Sequence, residues 1–587
     1  MKYLNKIKRE HYYIAGILAI MTVLIFSNIS NSLLWKDEAI NANIGYNTLK
    51  YGYPTIWDGK NLVSSTDGNS FNQQLISSNY EWLQFYLAAG SFAIFGKTTF
   101  AARLPFAIFA ILSVLFVWMI AKRIFKSLPK TVCCTLLYGL NVQFLLYSFH
   151  SRYYSLILFG TAWSILTFIK LMEKCEEGNI DLKHSCLFTL SIAFIFHSNR
   201  IAGVTIAMSI VLFLITKKKI KHWKIIIPLL IGASTWIVWC FINSIILNAP
   251  PFGTDSIETH MITKILIICW KLQVYFFPFL SLLILYLIFK FIFGRKTEKT
   301  DANEYTSLFV AVIISNIVVV AAPRWGIINH YFVPVLVVAP FLMTDFLIYF
   351  YSKSKHITAV IVLLLVFSNI LNIWPYYLVS NKTFDESNEA ANLLSPYYSL
   401  TTNYGLISSP ATDVNFRIQS LKEYVEQLEF RCYLYDYIRQ ISTGYQSYLD
   451  ETIKFLNENT SSGETVLVFG FEFEPIMFYT DLRVVNNMTT RLKPWPDYFT
   501  AYPNQAKYEY LTRVSDNEID WIIYKNDGSE EAMFDNLTYL QDNINKFQLF
   551  SLETAANIVI SNTPDLDIHQ FANVKSDDNV IIYKRIK

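Results

Sequence analysis

Charge is scarce in this sequence. Only 16% of its 587 residues are Asp, Glu, Lys or Arg, where an ordinary soluble protein carries roughly 25%. The net charge of +3 is too small to point to a nucleic-acid partner. Cysteine offers no framework either. Cys133 and Cys134 are adjacent, Cys186, Cys240 and Cys269 sit in apolar runs, and Cys432 is alone in the later polar part. No CxxC or zinc-type spacing exists, so a disulfide scaffold and a structural zinc site drop out and the thiols read as buried and inert. Repeats, low-complexity segments and a glycine-rich phosphate loop are also missing.

What the chain has is apolar and aromatic residues. Hydrophobic residues make up 53%, with 45 Phe and 37 Tyr. Runs of spanning length, or slightly less, recur at Tyr12–Leu34, Ala101–Ile120, Thr131–Phe149, Tyr153–Leu171, Ser185–His197, Ile201–Thr216, Ile225–Ile246, Ile262–Phe293, Ser307–Ala322, Tyr331–Phe350 and Ile357–Leu378. These eleven runs predict a polytopic α-helical membrane protein with about 11 transmembrane helices. The first run is too long for a signal-peptide core and lacks a cleavage site, so it reads as a retained helix.

Basic residues orient the spans. Lys2, Lys6, Lys8 and Arg9, then Lys122–Lys130, Lys217–Lys224, Lys290–Lys299 and Lys353–Lys355, mark the cytoplasmic connections. The loop 35–81 then faces outside, as does everything after the last span. Spanning by Trp82–Phe95 would move Lys122–Lys130 outside, so this segment reads as an interfacial helix. The expected location is the plasma (inner) membrane, with a cytoplasmic N-terminus.

Near residue 381 the composition turns polar. Helix-like patterning through Leu421–Asn457 precedes short β-type runs at Thr465–Gly470, Arg483–Val485, Trp521–Tyr524 and Val580–Tyr583. The expected organisation is a transmembrane domain at 1–380 and an extracytoplasmic α/β domain at 381–587.

Each outer connection holds a small polar set: Asp37 and Glu38; His150, Arg152, Tyr153 and Tyr154; His197 and Arg200; Arg324, His330 and Tyr331. Taken singly, an Asp-Glu at a helix end is ordinarily a solvated cap, and terminal arginines snorkel to headgroups. Their recurrence on one side suggests chemistry. Arginine forks bind phosphate, and a carboxylate can take a proton from an attacking hydroxyl. That is equipment for moving a group from a lipid phosphate to an alcohol.

The arrangement resembles the GT-C superfamily of membrane glycosyltransferases, most of all the protein O-mannosyltransferase and aminoarabinose (lipid A) transferase branch. The residues that carry the resemblance are Trp35-Lys36-Asp37-Glu38-Ala39 with Tyr51-Gly52-Tyr53-Pro54; Leu83-Gln84-Phe85-Tyr86-Leu87-Ala88-Ala89 leading to Phe95-Gly96; Ala102-Arg103-Leu104; Arg152-Tyr153-Tyr154-Ser155-Leu156; and His330-Tyr331-Phe332-Val333-Pro334. The resemblance implies sugar transfer from a polyprenyl phosphate to a hydroxyl acceptor (protein, lipid or wall polymer) outside the cytoplasm, usually with inversion. It makes Asp37 the base, with Glu38 as its neighbour, and places Arg152 at the donor. His150, Tyr154, His197, Arg200, Arg324, His330 and Tyr331 complete the substrate-binding set.

This chain departs from the pattern in three places. Glu81-Trp82 stands where similar proteins have prolines, His150 where many have an acid, and His330 where many have arginine. Replacement of that acid weakens the case for a carboxylate-bound metal, and the sequence establishes no cofactor. A divalent metal on His150 and His197 stays open. The rival readings are a transporter, which would show repeated halves or helices broken at midplane, and a non-catalytic anchor presenting the tail.

Overall fold

The computed structural model describes residues 2–27, 29–30, 32–63, 71–78, 80–178, 182–218, 223–247, 261–292, 305–323, 328–374, 430–443, 448–469, 473–485, 487–488, 513–514, 518–525, 544–552 and 580–586. The bundle begins with α1 (Lys2–Phe26), α2 (Lys36–Tyr51), α3 (Leu83–Phe95), α4 (Thr99–Phe125), α5 (Leu128–Gly139), α6 (Val142–Phe149) and α7 (Tyr154–Glu176). It continues with α8 (Leu182–Ser198), α9 (Arg200–Thr216), α10 (Trp223–Leu247), α11 (Met261–Lys271), α12 (Phe279–Ile292), α13 (Thr306–Ala321), α14 (Val333–Lys353) and α15 (Lys355–Phe367).

Among the described residues, five helices are long and apolar enough to cross a membrane, and seven if each bent pair counts as one span. This is an integral membrane bundle, with five to seven of the expected eleven spans meeting that length among the described residues. Leu83–Phe95, Arg200–Thr216, Thr306–Ala321 and Lys355–Phe367 are shorter apolar helices. The 13 residues of α3 extend about 20 Å, short of the ~30 Å hydrocarbon layer.

The bent pairs have a common cause. The expected span Thr131–Phe149 is two helices meeting at 61°. Asn141 makes the elbow: its Oδ1 accepts from Gln143 N (2.9 Å) and Phe144 N (3.3 Å), capping α6, while Nδ2 donates to Phe276 O (3.1 Å). Phe276 closes a π-helical turn, Leu272–Phe276, that precedes Pro278 and an 84° bend into α12. Gln273 satisfies that second break. Its Nε2 donates to Leu371 O and Asn372 O, both at 3.0 Å, and its Oε1 accepts from Leu280 N at 2.8 Å. In lipid, freed backbone groups need partners inside the protein. Here buried amide side chains supply them, so each continuous apolar run can hold a corner.

Helix α2 is organised differently, because it is polar and yet buried. Trp35 is extended before it, Asp37 and Glu38 lie in its first turn, and Gly52 ends it at φ 85 with its N–H on Thr48 O. The acids suit the positive end of the helix dipole. Its asparagines all find partners: Asn41 Nδ2 donates to Ser151 Oγ (3.1 Å), Asn43 Nδ2 to Glu474 O (3.0 Å) and Asn47 Nδ2 to Thr55 O (3.1 Å). These three contacts reach the α6–α7 turn, the C-terminal region and the loop that follows α2.

Close packing fixes α2 against α3. A Cβ on Gly45 would fall 2.7 Å from the Ala88 Cβ, whereas one on Gly90 would meet nothing within 4 Å. Gly45→Ala is therefore expected to cost about 1–3 kcal/mol through overpacking, and Gly90→Ala to be neutral or slightly stabilising. Thermal unfolding of the two variants in detergent measures the difference.

The C-terminal region carries α16 (Tyr433–Thr443), α17 (Tyr448–Asn459) and α18 (Phe473–Tyr479) with seven strands. These are β1 (Thr465–Phe469), β2 (Arg483–Val485), β3 (Asn487–Met488), β4 (Arg513–Val514), β5 (Trp521–Lys525), β6 (Phe547–Leu552) and β7 (Val580–Arg585). Five of them form a sheet in the order β2-β1-β5-β7-β6. It is parallel across β2, β1 and β5 and antiparallel across β5, β7 and β6. The four β-type runs of the sequence are strands of this sheet.

The side chains of β1 alternate as a two-faced strand requires. Val466 and Val468 enter a core shared with Ile40, Ile44, Ile56 and Phe85, and Leu467 enters a second one with Ile522 and Tyr583. The loop after α2 closes the sheet edge: Asn61 Nδ2 donates to Leu482 O (3.0 Å) and Asn61 Oδ1 accepts from Val484 N (2.8 Å). One amide side chain pairs with β2 as a neighbouring strand would. Tyr479, at the end of α18, accepts from Leu34 N (2.9 Å) and bonds Thr99 Oγ1 (2.7 Å).

Candidate active site

Glu38 and Asp37 are neighbours with opposite surroundings. Glu38 is fully buried and gripped by Arg103, which is 1% exposed. Arg103 Nε and Nη2 reach the two carboxylate oxygens at 2.9 and 2.7 Å. Its remaining N–H groups go to the carbonyls of Ile29, Ser32 and Leu33 at 2.9–3.1 Å. Ser151 N donates to Glu38 Oε1 at 2.7 Å. Burial alone would raise the Glu38 pKa. Arg103, His150 and the Ser151 N–H outweigh it and hold the carboxyl below its usual range. Glu38 thus ties α2 to α4 and to the α6–α7 turn. Expected as a second carboxylate beside the base, it is committed on both oxygens.

Asp37 keeps one side open. Its Oδ2 accepts from Arg152 Nη2 at 2.9 Å, its side chain is 25% exposed, and that of Arg152 is 3% exposed. Arg152 lies between two rings, 5.0 Å from the centre of Tyr80 and 5.1 Å from that of Tyr153. Burial opposes its charge, but Asp37, with the tyrosines around it, holds the guanidinium protonated well above the ordinary arginine range. Its Nε and Nη1 are buried and have no hydrogen-bond partner among the described residues. Unsatisfied buried donors on a charged group are costly.

The other predicted residues fall into two groups. His150, Tyr154, His330 and Tyr331 surround the arginine turn. The His150 ring stacks on Phe149 at 4.6 Å and its Nδ1 bonds Leu146 O. His330 Nε2 bonds the Tyr153 hydroxyl at 2.9 Å, and its ring stacks on Tyr154 at 5.1 Å. Tyr331 packs edge-on to His330.

His197 and Arg200 form the second group, with Glu81. Arg200 N donates to Glu81 Oε1 at 3.1 Å, and Trp239 meets both His197 and Trp82 edge-on. Burial pushes the Glu81 carboxyl up, against the pull of Arg200. Arg324 lies outside the described residues. Of the three arginines expected to share one anion, Arg152 stands at Asp37, while Arg200 stands at Glu81.

A metal fits poorly among these groups. No three His, Cys, Asp or Glu side chains come together among the described residues. His150 is engaged on a carbonyl and His197 faces an indole, so no step below runs through a metal. Arg103 and Tyr153 were quoted in motifs without a role. An arginine inside an apolar helix was the available signal for Arg103, since such a charge is rare without a partner. Nothing in spacing alone pairs it with Glu38.

Fold and site together define a polytopic membrane protein with a carboxylate–guanidinium pair where the helical bundle meets its C-terminal region. Residues 82–246 match the family model of dolichyl-phosphate-mannose-protein mannosyltransferase. No curated protein matches the chain. Among solved structures it is similar to ArnT from Cupriavidus metallidurans bound to undecaprenyl phosphate, at 11% identity and TM-score 0.51, covering 97% of each chain. The apo form of that ArnT matches with the same identity and score over 98% of each chain. The oligosaccharyltransferase of Archaeoglobus fulgidus matches at 12% identity and TM-score 0.44, over 87% of this chain and 67% of that one. The chain shares the fold of ArnT, and the resemblance to the GT-C superfamily holds.

Proposed function

We propose that the protein is a membrane glycosyltransferase. It moves a sugar from a polyprenyl-phosphate donor to a hydroxyl acceptor on the extracytoplasmic face, with inversion. One observation carries this reading: a buried arginine that gives one N–H to Asp37 and leaves Nε and Nη1 without partners among the described residues. A phosphate monoester or diester suits such charged donors, one on each edge of the guanidinium. The family match over residues 82–246 and the undecaprenyl phosphate of the similar ArnT structure support the same donor class.

In the proposed reaction the acceptor hydroxyl gives its proton to Asp37 as its oxygen attacks C1 of the sugar. The C1–O bond to phosphate breaks, and its electron pair leaves with the polyprenyl phosphate. Arg152 stabilises that developing charge. We assign residues 1–380 to the transferase domain and 381–587 to an extracytoplasmic α/β domain that completes its first loop.

Arg152→Ala is expected to weaken undecaprenyl phosphate binding roughly 10- to 100-fold, the loss of charge-assisted bonds. Titration into nanodisc-embedded protein reads this directly. Unchanged affinity would remove the basis of the assignment.

A further inference from the structure

Arg152 is positioned by rings, and one of those rings is itself tethered. Tyr153 offers its face to the guanidinium at 5.1 Å, and its hydroxyl is bonded to His330 Nε2 at 2.9 Å. His330 is 4% exposed. It is held by stacking on Tyr154 at 28° and by an edge-on contact with Tyr153 at 79°. The short 3-10 turn that carries it, Asn329–Phe332, is fixed in turn. Asn316 Nδ2 on α13 donates to Tyr331 O at 2.9 Å. A chain of contacts therefore runs from α13 through His330 and Tyr153 to Arg152, with Tyr80 on the other side of the guanidinium.

We propose that His330 is a positioning residue for the donor phosphate and acts through Tyr153. The cation–π contact depends on the ring being presented at the right place. A tyrosine without its hydroxyl anchor can rotate and slide, and the arginine fork moves with it. His330 need not touch the donor. Its contribution is to hold the guanidinium so that a phosphate can take the donors on an edge that Asp37 leaves open. This rests on the reading of Arg152 as the phosphate holder, and the experiment separates the two.

The test uses the full chain in nanodiscs, titrated with undecaprenyl phosphate. Tyr153→Phe removes only the hydroxyl, His330→Ala removes the anchor, and His330→Gln keeps a group able to bond Tyr153. Tyr153→Phe and His330→Ala should each weaken binding roughly 3- to 10-fold, and the double variant should be no weaker than either alone. His330→Gln should stay near wild type. In transfer assays the loss should appear in kcat/KM for the donor and be restored in His330→Gln, since Arg152 also carries the charge that develops on the leaving phosphate. A residue needed only for general stability would not give this pattern.

Additive losses overturn the inference, as do single variants that bind like wild type while Arg152→Ala does not. Arg152→Ala binding normally would overturn both this and the donor reading. If His330→Ala fails to fold, His330→Phe, which keeps a ring against Tyr154 but cannot bond the Tyr153 hydroxyl, takes its place in the cycle.

Discussion

Asp37→Asn is expected to abolish most sugar transfer, by about 10²–10⁴-fold, the range for losing a general base. Binding of undecaprenyl phosphate should change far less. The substituted amide would keep the size and shape of the side chain and could still accept from Arg152 Nη2. It could not take a proton. The expected pattern is thus a collapse of kcat with the donor still held. Single-turnover transfer beside a binding titration distinguishes the two. Near-wild-type kcat would remove Asp37 from its role.

The largest loss of stability is expected one residue further on, at the partner of Glu38. Arg103→Met would leave a fully buried carboxylate with the Ser151 N–H but no counter-charge, and would strand the carbonyls of Ile29, Ser32 and Leu33. Removing one member of such a pair costs about 3–5 kcal/mol. Adding Glu38→Gln to Arg103→Met should restore part of the loss, since the orphaned charge is then gone.

The acid limb follows the same logic. Glu38 is held below its usual range in the folded protein. Its contribution is therefore fully present above the unfolded value of about 4.3 and is lost as pH falls through the folded value. Thermal unfolding midpoints of wild type should decline more steeply than those of Glu38→Gln below about pH 4. Parallel curves would show that the pair does not store its stability in that charge.

Much of the bundle was legible in the sequence because hydropathy reports burial in lipid or protein wherever the run is continuous. The same continuity hid its corners. In Thr131–Phe149 only Gly139 and Asn141 hint at a break, and both residues have many other uses in a membrane helix. The partner of Asn141, the Phe276 carbonyl, belongs to a different run. Those corners, and the short helices, are what a hydropathy run leaves unmarked.

Asp37 and Arg152 were legible as types at the ends of apolar runs, and the structure puts them 2.9 Å apart. The commitment of Glu38 was not, because Arg103 is 65 positions away and sits inside an apolar helix. Arg200 looked equivalent to Arg152 by location in the chain. Its placement beside Glu81 depends on how α3 and α9 pack, which no local pattern encodes.

Strand β7 lies inside the sheet, between β5 and β6, although it comes last of the described strands. Asp37, by contrast, leaves the ribosome near the start of synthesis. At roughly 5–20 residues per second, on the order of 30–100 s pass before Val580–Arg585 can be threaded between its neighbours. Until then the sheet that packs on Ile40 and pairs with Asn61 lacks the strand that joins β5 to β6. A chain stalled before that point would insert its helices and still lack the finished wall beside Asp37. Translation order would then act as a timer that holds the site back until β7 has been made.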